Sequence, residues 1–325
     1  MKLWRPEQTV QGPRRATEAD LPALNKIFSD AFTDRYRRDG LVGVRVPPLN
    51  PQIWRYALED AGEGAMVWTD EDDKLIAFNI AHASGVEGWM GPLAVRPDRQ
   101  GLGLGKAVVQ SAIEWLKDRG VTTLGLETMP RTVENIGFYG RLGFEPGYLT
   151  VTLTCDLTPN TRSLRPRYTR LSELSATQRR EALERCRVRL QRSTPGRDFT
   201  REHELTADLE IGDTVIVEDQ GVRAFALWHS APLAEARPLE ELRVLKLFAD
   251  SAETFGNLMG VLETCAQRLR VRRVAIRCQT SHTAAYRELL DRGYRVRWTD
   301  LRMTLAGFPE ATLSPGEVVF SNWEI

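Results

Sequence analysis

The segment Leu93-Ala94-Val95-Arg96-Pro97-Asp98-Arg99-Gln100-Gly101-Leu102-Gly103-Leu104-Gly105-Lys106 carries the clearest chemical signal in the chain. An apolar β-type run ends at a proline, glycines then alternate with leucines, and helical periodicity follows. That arrangement suits a phosphate-bearing ligand. The first turn of a helix leaves N–H groups without acceptors, and the helix dipole sets partial positive charge there. Glycines let the backbone approach an anion with no Cβ in the way. The spacing excludes two common phosphate loops. Lys106 is followed by Ala107 rather than Ser or Thr, and Gly101-x-Gly103-x-Gly105 is not G-x-G-x-x-G. The four cysteines, Cys155, Cys186, Cys265 and Cys278, are far apart and form no C-x-x-C, so reduced thiols and no metal are expected.

Such a loop needs a strand before it and a helix after it. Residues 89–95 form the strand, closed by Pro97. Residues 105–118 carry Val108, Ala112, Trp115 and Leu116 at helical spacing and stop at Gly120. Upstream, Leu21, Leu24, Ile27, Phe28 and Ala31 mark an amphipathic helix. The proline-rich residues 46–51 read as loop, and a second helix covers about 52–61. Two short runs, 66–69 and 75–82, flank Asp70-Glu71-Asp72-Asp73 as a hairpin. Downstream come a strand at 121–127, a helix at 132–142 and a strand at 148–155. Residues 157–166, polar and with two prolines, are the linker candidate.

The second half repeats this order. A hairpin spans 214–218 and 222–229, a strand covers 242–248, and Phe255, Leu258, Met259, Leu262, Cys265 and Leu269 form one helical stripe. A strand at 274–278, a helix at 282–291 and a strand at 295–305 follow. Ala77-Phe78 recurs as Ala224-Phe225, 147 positions on, and Gly143-Phe144 as Gly293-Tyr294, 150 positions on, which predicts an internal duplication. The apolar residues 317–325 are expected to join a sheet or pack between the halves. With 325 residues, 44 basic and 44 acidic, the chain is long enough for two domains and carries no net charge. That balance gives no reason to expect a nucleic-acid partner. The arginine-dense run 176–192 is read as the wet face of a helix whose buried stripe is Ala182, Leu183, Cys186 and Leu190. No secretory h-region and no run of about 18 apolar residues is present, so a cytoplasmic protein with no membrane contact is expected.

Gln100-x-x-Gly103-x-Gly105, the preceding Val95-x-Pro97 and the downstream Phe138-Tyr139-Gly140-Arg141-Leu142-Gly143-Phe144 together resemble the GNAT N-acetyltransferase superfamily. The resemblance covers about residues 14–156, and the second half shares only the order of elements. It implies an α/β (α+β) protein of two tandem GNAT-like domains, 1–157 and 158–325, each a central mixed, mostly antiparallel sheet flanked by helices. It implies acetyl-CoA as acetyl donor, with Leu93, Ala94 and Val95 along the pantetheine arm. Gln100, Gly101, Leu102, Gly103, Leu104, Gly105 and Lys106 would hold the pyrophosphate. Direct attack by a neutral primary amine requires one proton to leave the nitrogen and one to reach the departing thiolate. The resemblance assigns the second task to Tyr139. Asn135, one turn earlier on the same face, is a further cofactor contact. The family's usual asparagine falls at Thr132, which is either its substitute or a helix cap. Glu87 and Glu127, at the ends of the two facing strands, are the candidate bases, with His82 behind them.

The second half departs from the motif. At the loop position it reads Lys246-Leu247-Phe248-Ala249-Asp250-Ser251-Ala252-Glu253, with no glycine and two acids, and the tyrosine position is Leu289. One acetyl-CoA site per chain is therefore expected, in the first half. The expected partner is a small-molecule or peptide amine, with a homodimer compatible. A non-catalytic acyl-CoA-binding sensor or structural module derived from the same fold is the alternative.

Overall fold

The computed structural model describes residues 10–157 and 167–323; the linker candidate therefore lies, apart from Leu157, outside the described residues. The first half runs β1 (Gln11–Arg15), α1 (Leu21–Arg38), α2 (Pro51–Ala61), β2 (Ala65–Thr69), β3 (Leu75–Ser84), β4 (Glu87–Val95), α3 (Leu104–Asp118), β5 (Thr123–Thr128), α4 (Val133–Arg141) and β6 (Phe144–Asp156). The second runs β7 (Tyr168–Arg170), α5 (Ala176–Ser193), α6 (Thr200–Asp208), β8 (Gly212–Glu218), β9 (Val222–His229), β10 (Glu241–Ala249), α7 (Ala252–Arg268), β11 (Arg273–Gln279), α8 (Thr283–Asp291), β12 (Arg295–Leu305) and β13 (Val318–Ser321). Boundaries follow local chemistry. Asn50 caps α2 by accepting the Gln52 N–H at 3.0 Å, with Pro51 in the first helical position. Ser175 and Gln178 form a capping box on α5.

The strands form one continuous mixed sheet in the order β1-β2-β3-β4-β5-β12-β6-β11-β10-β9-β8-β7, with β13 added on β10. The halves exchange their last long strands. β12, from the second half, lies between β5 and β6 of the first, and β6 pairs on its other side with β11. The resemblance implied a sheet for each half; the exchange joins them into one. Two pairs are parallel, β4–β5 and β10–β11, and each parts after four residues.

Helices cover both faces. Leu24, Ile27 and Phe28 of α1 and Trp54 and Ala57 of α2 pack on Phe78 and Ile80 of β3. On the other face, Val109, Ala112 and Leu116 of α3 pack with Tyr139 and Phe144. In the second half α7 sets Phe255, Leu258, Met259 and Leu262, all fully buried, against β9–β11. Burying each such side chain contributes about 1.5–3 kcal/mol, so this stripe alone anchors the helix. Gly125 of β5 is required by packing: a Cβ there would stand 2.4 Å from the Trp89 ring lying across it.

Candidate active site

β4 pairs with β5 from Glu87↔Thr123 to Met90↔Leu126 and then diverges. Opposite, between the pairs Asn79↔Leu93 and Ala81↔Met90, the single residue Ile80 of β3 faces two of β4, Gly91 and Pro92. This bulge turns the end of β4 away from β5. The N–H of Arg96 donates to the Ile76 carbonyl of β3 at 2.8 Å. Strand alternation then turns the polar groups of Ala94 toward β3 and those of Leu93 and Val95 into the opening. The Val95 carbonyl is already bonded there by Gln100 Nε2 at 2.9 Å. A cavity of about 290 Å³ fills the opening, bounded by Leu93, Ala94, Val95 and Gln100 on one side and by Leu126–Met129 on the other. Asn135, Phe138 and Tyr139 of α4 close its floor.

The glycine loop leads from β4 into α3. Gly101 and Gly103 have φ of 76° and 85°, the left-handed region that side chains disfavour, and an added Cβ at either would meet nothing within 4 Å. Gly103 is the N-cap of α3, and its carbonyl accepts from the N–H of Lys106 at 3.0 Å. Among the described residues no backbone acceptor takes the N–H groups of Gly101, Leu102, Gly103 or Leu104. These point from open loop and helix terminus, as an anion requires. The N–H of Lys106 is thereby taken, and its side chain is exposed. The loop is tethered by Arg99 on Asp70, 3.1 Å apart, in the β2–β3 hairpin. Leu93, Ala94, Val95, Gln100 and Gly101–Gly105 thus fit a long ligand with an anionic middle.

Tyr139 is buried beside Phe138 and Phe144, ring centroids 5.2 and 6.1 Å away, and its phenol borders the cavity. Burial pushes its pKa well above the ordinary tyrosine value, so it is a protonated donor at any working pH. Thr132 lines neither this cavity nor the next. It is buried, and its hydroxyl donates to Asp39 Oδ2 at 2.6 Å, tying α4 to the end of α1.

A second cavity of about 830 Å³ adjoins the first, sharing Phe32, Met90, Gly91, Pro92, Glu127 and Asp300 as walls. Its roof is the α1 stripe Phe28, Phe32 and Tyr36; its floor is the sheet face of β5, β12, β6, β11 and β10. At the shared wall Glu127 is bonded by Arg277, by Arg302 Nη1 at 2.7 Å and by Thr150 Oγ1 at 2.5 Å. Burial alone would raise its pKa, but the two guanidiniums outweigh burial and hold it below the ordinary value. Asp300 of β12 shares Arg277 at 2.9 Å and accepts from Trp298 Nε1 at 3.1 Å. Here burial and the neighbouring Glu127 carboxylate prevail over Arg277 and push the pKa up. The phenol of Tyr36 is raised as well, by burial and then by Asp300.

Glu87 is the sequence candidate that geometry separates from the others. It opens β4, three residues and roughly 10 Å before the strands part, and lines neither cavity. Its carboxylate is buried on Arg197 Nη2 at 3.0 Å. Burial opposes its ionisation, but Arg197 and then Lys246 keep its pKa low. His82 lines the large cavity with Nδ1 on Asp60 at 2.6 Å and its ring stacked on Trp323. Sequence reasoning missed Asp300 and Arg277, and it set Tyr36 on the acceptor side but in a loop rather than in α1. Tyr36 sits at helical spacing from Phe28 and Phe32 and continues their stripe. Asp300 and Arg277 carry no local signal, because only the strand exchange brings them to Glu127.

Residues 21–144 match the profile of the acetyltransferase (GNAT) family. That segment is a GNAT acetyltransferase domain. Over 132 residues it is 32% identical to serotonin N-acetyltransferase 2, chloroplastic, of Oryza sativa subsp. japonica, covering 40% of this chain and 59% of that protein. Over 74 residues it is 38% identical to the [ribosomal protein bS18]-alanine N-acetyltransferase of Escherichia coli K12, covering 23% of this chain and 50% of that one. The chain thus spans about half the length of the curated relatives it matches. Among solved structures, a putative acetyltransferase from Pyrococcus horikoshii superposes with a TM-score of 0.69 over 99% of this chain and 96% of that one, at 16% identity. A tandem GNAT protein from the clavulanic acid biosynthesis pathway superposes with a TM-score of 0.57 over 94% and 100%, at 12% identity. At such identities these two establish the fold alone, a curled mixed sheet with flanking helices that matches GNAT folds.

The second half has the same parting of parallel strands and fills it. β10 pairs with β11 from Glu241↔Arg273 to Val244↔Ile276, and from Lys246 onward β10 pairs instead with β13. The C-terminal strand thus occupies the place that the 290 Å³ cavity holds in the first half. At the loop position Asp250 is bonded by Arg223 and Ser251 caps its own helix, accepting the Thr254 N–H at 3.2 Å.

Proposed function

We propose that the protein is an acetyl-CoA-dependent N-acetyltransferase acting on a primary amine. Its single active site would lie in the domain 1–157, and the domain 158–325 would complete the acceptor cavity. The observation that carries this reading is the parting of β4 from β5, with the Tyr139 phenol at the opening and the large cavity adjoining it. Both curated relatives are named for N-acetyl transfer, which supports an amine nitrogen as acceptor.

In this reading the loop amides of Gly101–Leu104 bind the donor's pyrophosphate, and Leu93 and Val95 pair with its pantetheine arm through the strand edge. Gln100 fixes the turn, and Asn135 lines the arm's path. The acceptor enters from the large cavity as an ammonium and gives one proton to a carboxylate at the shared wall. The neutral nitrogen attacks the thioester carbonyl, the C–N bond forms, the C–S bond breaks, the departing thiolate takes the phenolic proton of Tyr139, and the second proton shed by the acylated nitrogen returns through solvent to the tyrosinate. Of the two wall carboxylates, Asp300 is the better base. Glu127 is ionised but held by two arginines, so a proton gains little there, whereas burial makes Asp300 readier to accept one.

The test is thiol release from acetyl-CoA across small amines, amino acids and peptides. Amine-dependent release with formation of the N-acetyl product is the expected result. Tight CoA binding with no release from any amine would leave an acyl-CoA-binding module instead.

A further inference from the structure

The large cavity has two unlike ends. At the wall shared with the smaller cavity, two carboxylates, Glu127 and Asp300, meet two guanidiniums, Arg277 and Arg302. At the other end the wall presents Arg243, Arg273 and Arg297 against a single lining acid, Glu241. Arg243 donates to the Ala231 carbonyl at 2.6 Å and stands 4.0 Å from Glu241. Arg273 is paired through Nε with Asp156, 3.1 Å away, which is not part of the lining. Arg297 donates through Nε to Thr154 Oγ1 at 3.0 Å, and among the described residues no carboxylate pairs with it. Thr152 and Thr154 add hydroxyls to the same wall.

The spacing along the strands sets the scale. Arg273 lies four residues before Arg277 on β11, and Arg297 three residues before Asp300 on β12. At about 3.3 Å per residue the arginine end is on the order of 10 Å from the reacting end. Between them the cavity is walled by the α1 aromatics and Trp298. A plain diamine would set its second ammonium among guanidiniums, and a neutral arylalkyl chain would leave Arg297 without an anion. A planar guanidinium fork matches carboxylate or phosphate oxygens, with charge-assisted bonds about twice as strong as neutral ones.

We propose that the acceptor is an amine carrying an anionic group, a carboxylate or a phosphate, on the order of 10 Å from the reacting nitrogen, and that Arg297 with Arg273 receives that group. This inference rests on the N-acetyltransferase reading for the placement of the amine, but the arginine end can be tested on binding alone.

The probes are matched pairs: aminooctanoate with its primary amide, and aminooctyl phosphate with aminooctanol. Each is measured by thiol release for KM and, in the presence of CoA, by calorimetry for Kd. The anionic member of at least one pair should bind at least about tenfold more tightly than its neutral partner. Comparison of the two pairs separates carboxylate from phosphate. In Arg297→Gln that discrimination should fall to about threefold or less, and Arg297→Lys should restore part of it. CoA affinity of each variant serves as the control for folding. Equal binding of anionic and neutral members, or full discrimination retained in a folded Arg297→Gln, overturns the proposal. Absence of thiol release from every probe would count against the acetyltransferase reading, while the calorimetric comparison would still decide the anion.

Discussion

At the scale of single residues the site divides proton traffic between two groups in opposite states. Tyr139 is held protonated by burial, and Asp300 is held ready to accept by partial burial beside Glu127. Tyr139→Phe keeps the ring and its contacts with Phe138 and Phe144 but deletes the donor. kcat should fall by about 10²-fold while CoA affinity, read by calorimetry, stays nearly constant. A loss of affinity as large as the loss of rate would make the tyrosine a binding group. Asp300→Asn should also lower kcat by about 10²-fold. The base works only when ionised, so the rate should rise with pH through the Asp300 pKa, which lies above the ordinary carboxylate value. That acid limb should vanish in the Asn variant, and an unchanged pH–rate profile would return the role to Glu127 or solvent. Tyr139 and Asn135 were legible because their motif is local, nine residues of one helix. Asp300 was not: it lies 173 positions beyond Glu127 in sequence, and its proximity depends on which strand inserts next to β5.

The two parallel strand pairs show how one element can serve two ends. Where β4 leaves β5, the space stays open and the glycine loop borders it. Where β10 leaves β11, β13 closes the space. The absence of glycines around Asp250 was readable in the sequence. The plug was only half readable, since an apolar C-terminus announces burial but not the edge it will join. Titration should therefore give one CoA per chain, and a second equivalent of comparable affinity would contradict the plugged gap. For the open loop, the informative substitution avoids Gly103, whose φ of 85° would strain any side chain and confuse binding with folding. Leu102 is 47% exposed, so Leu102→Glu adds a negative charge to the loop without touching the core. CoA affinity should drop about five- to tenfold, on the order of 1 kcal/mol, and the drop should shrink at high salt. Unchanged affinity in low salt would move the pyrophosphate away from this loop.

On the scale of the whole molecule, strand exchange makes the halves depend on each other. β12 supplies the partner for the free edge of β5 and for one edge of β6, while β6 supplies the partner for β11. Polar contacts cross the same seam: Arg302 to Glu127, Arg197 to Glu87, and the fully buried Lys246 to Ser84. Removing either half would leave ladder N–H and C=O groups unpaired in a buried place, and single charges without their partners, each costing on the order of 1–3 kcal/mol or more. With total stabilities near 5–15 kcal/mol, neither half can absorb several such losses. Unfolding of the full chain should therefore be one cooperative transition, with calorimetric and van't Hoff enthalpies in agreement. Residues 1–157 produced alone should lack a sharp transition and bind CoA poorly, and co-production with residues 158–325 should restore both. Two resolved transitions in the full chain, or a fragment 1–157 that melts cooperatively and binds CoA as the full chain does, would mean that the exchanged strand is dispensable and that the first half is self-sufficient.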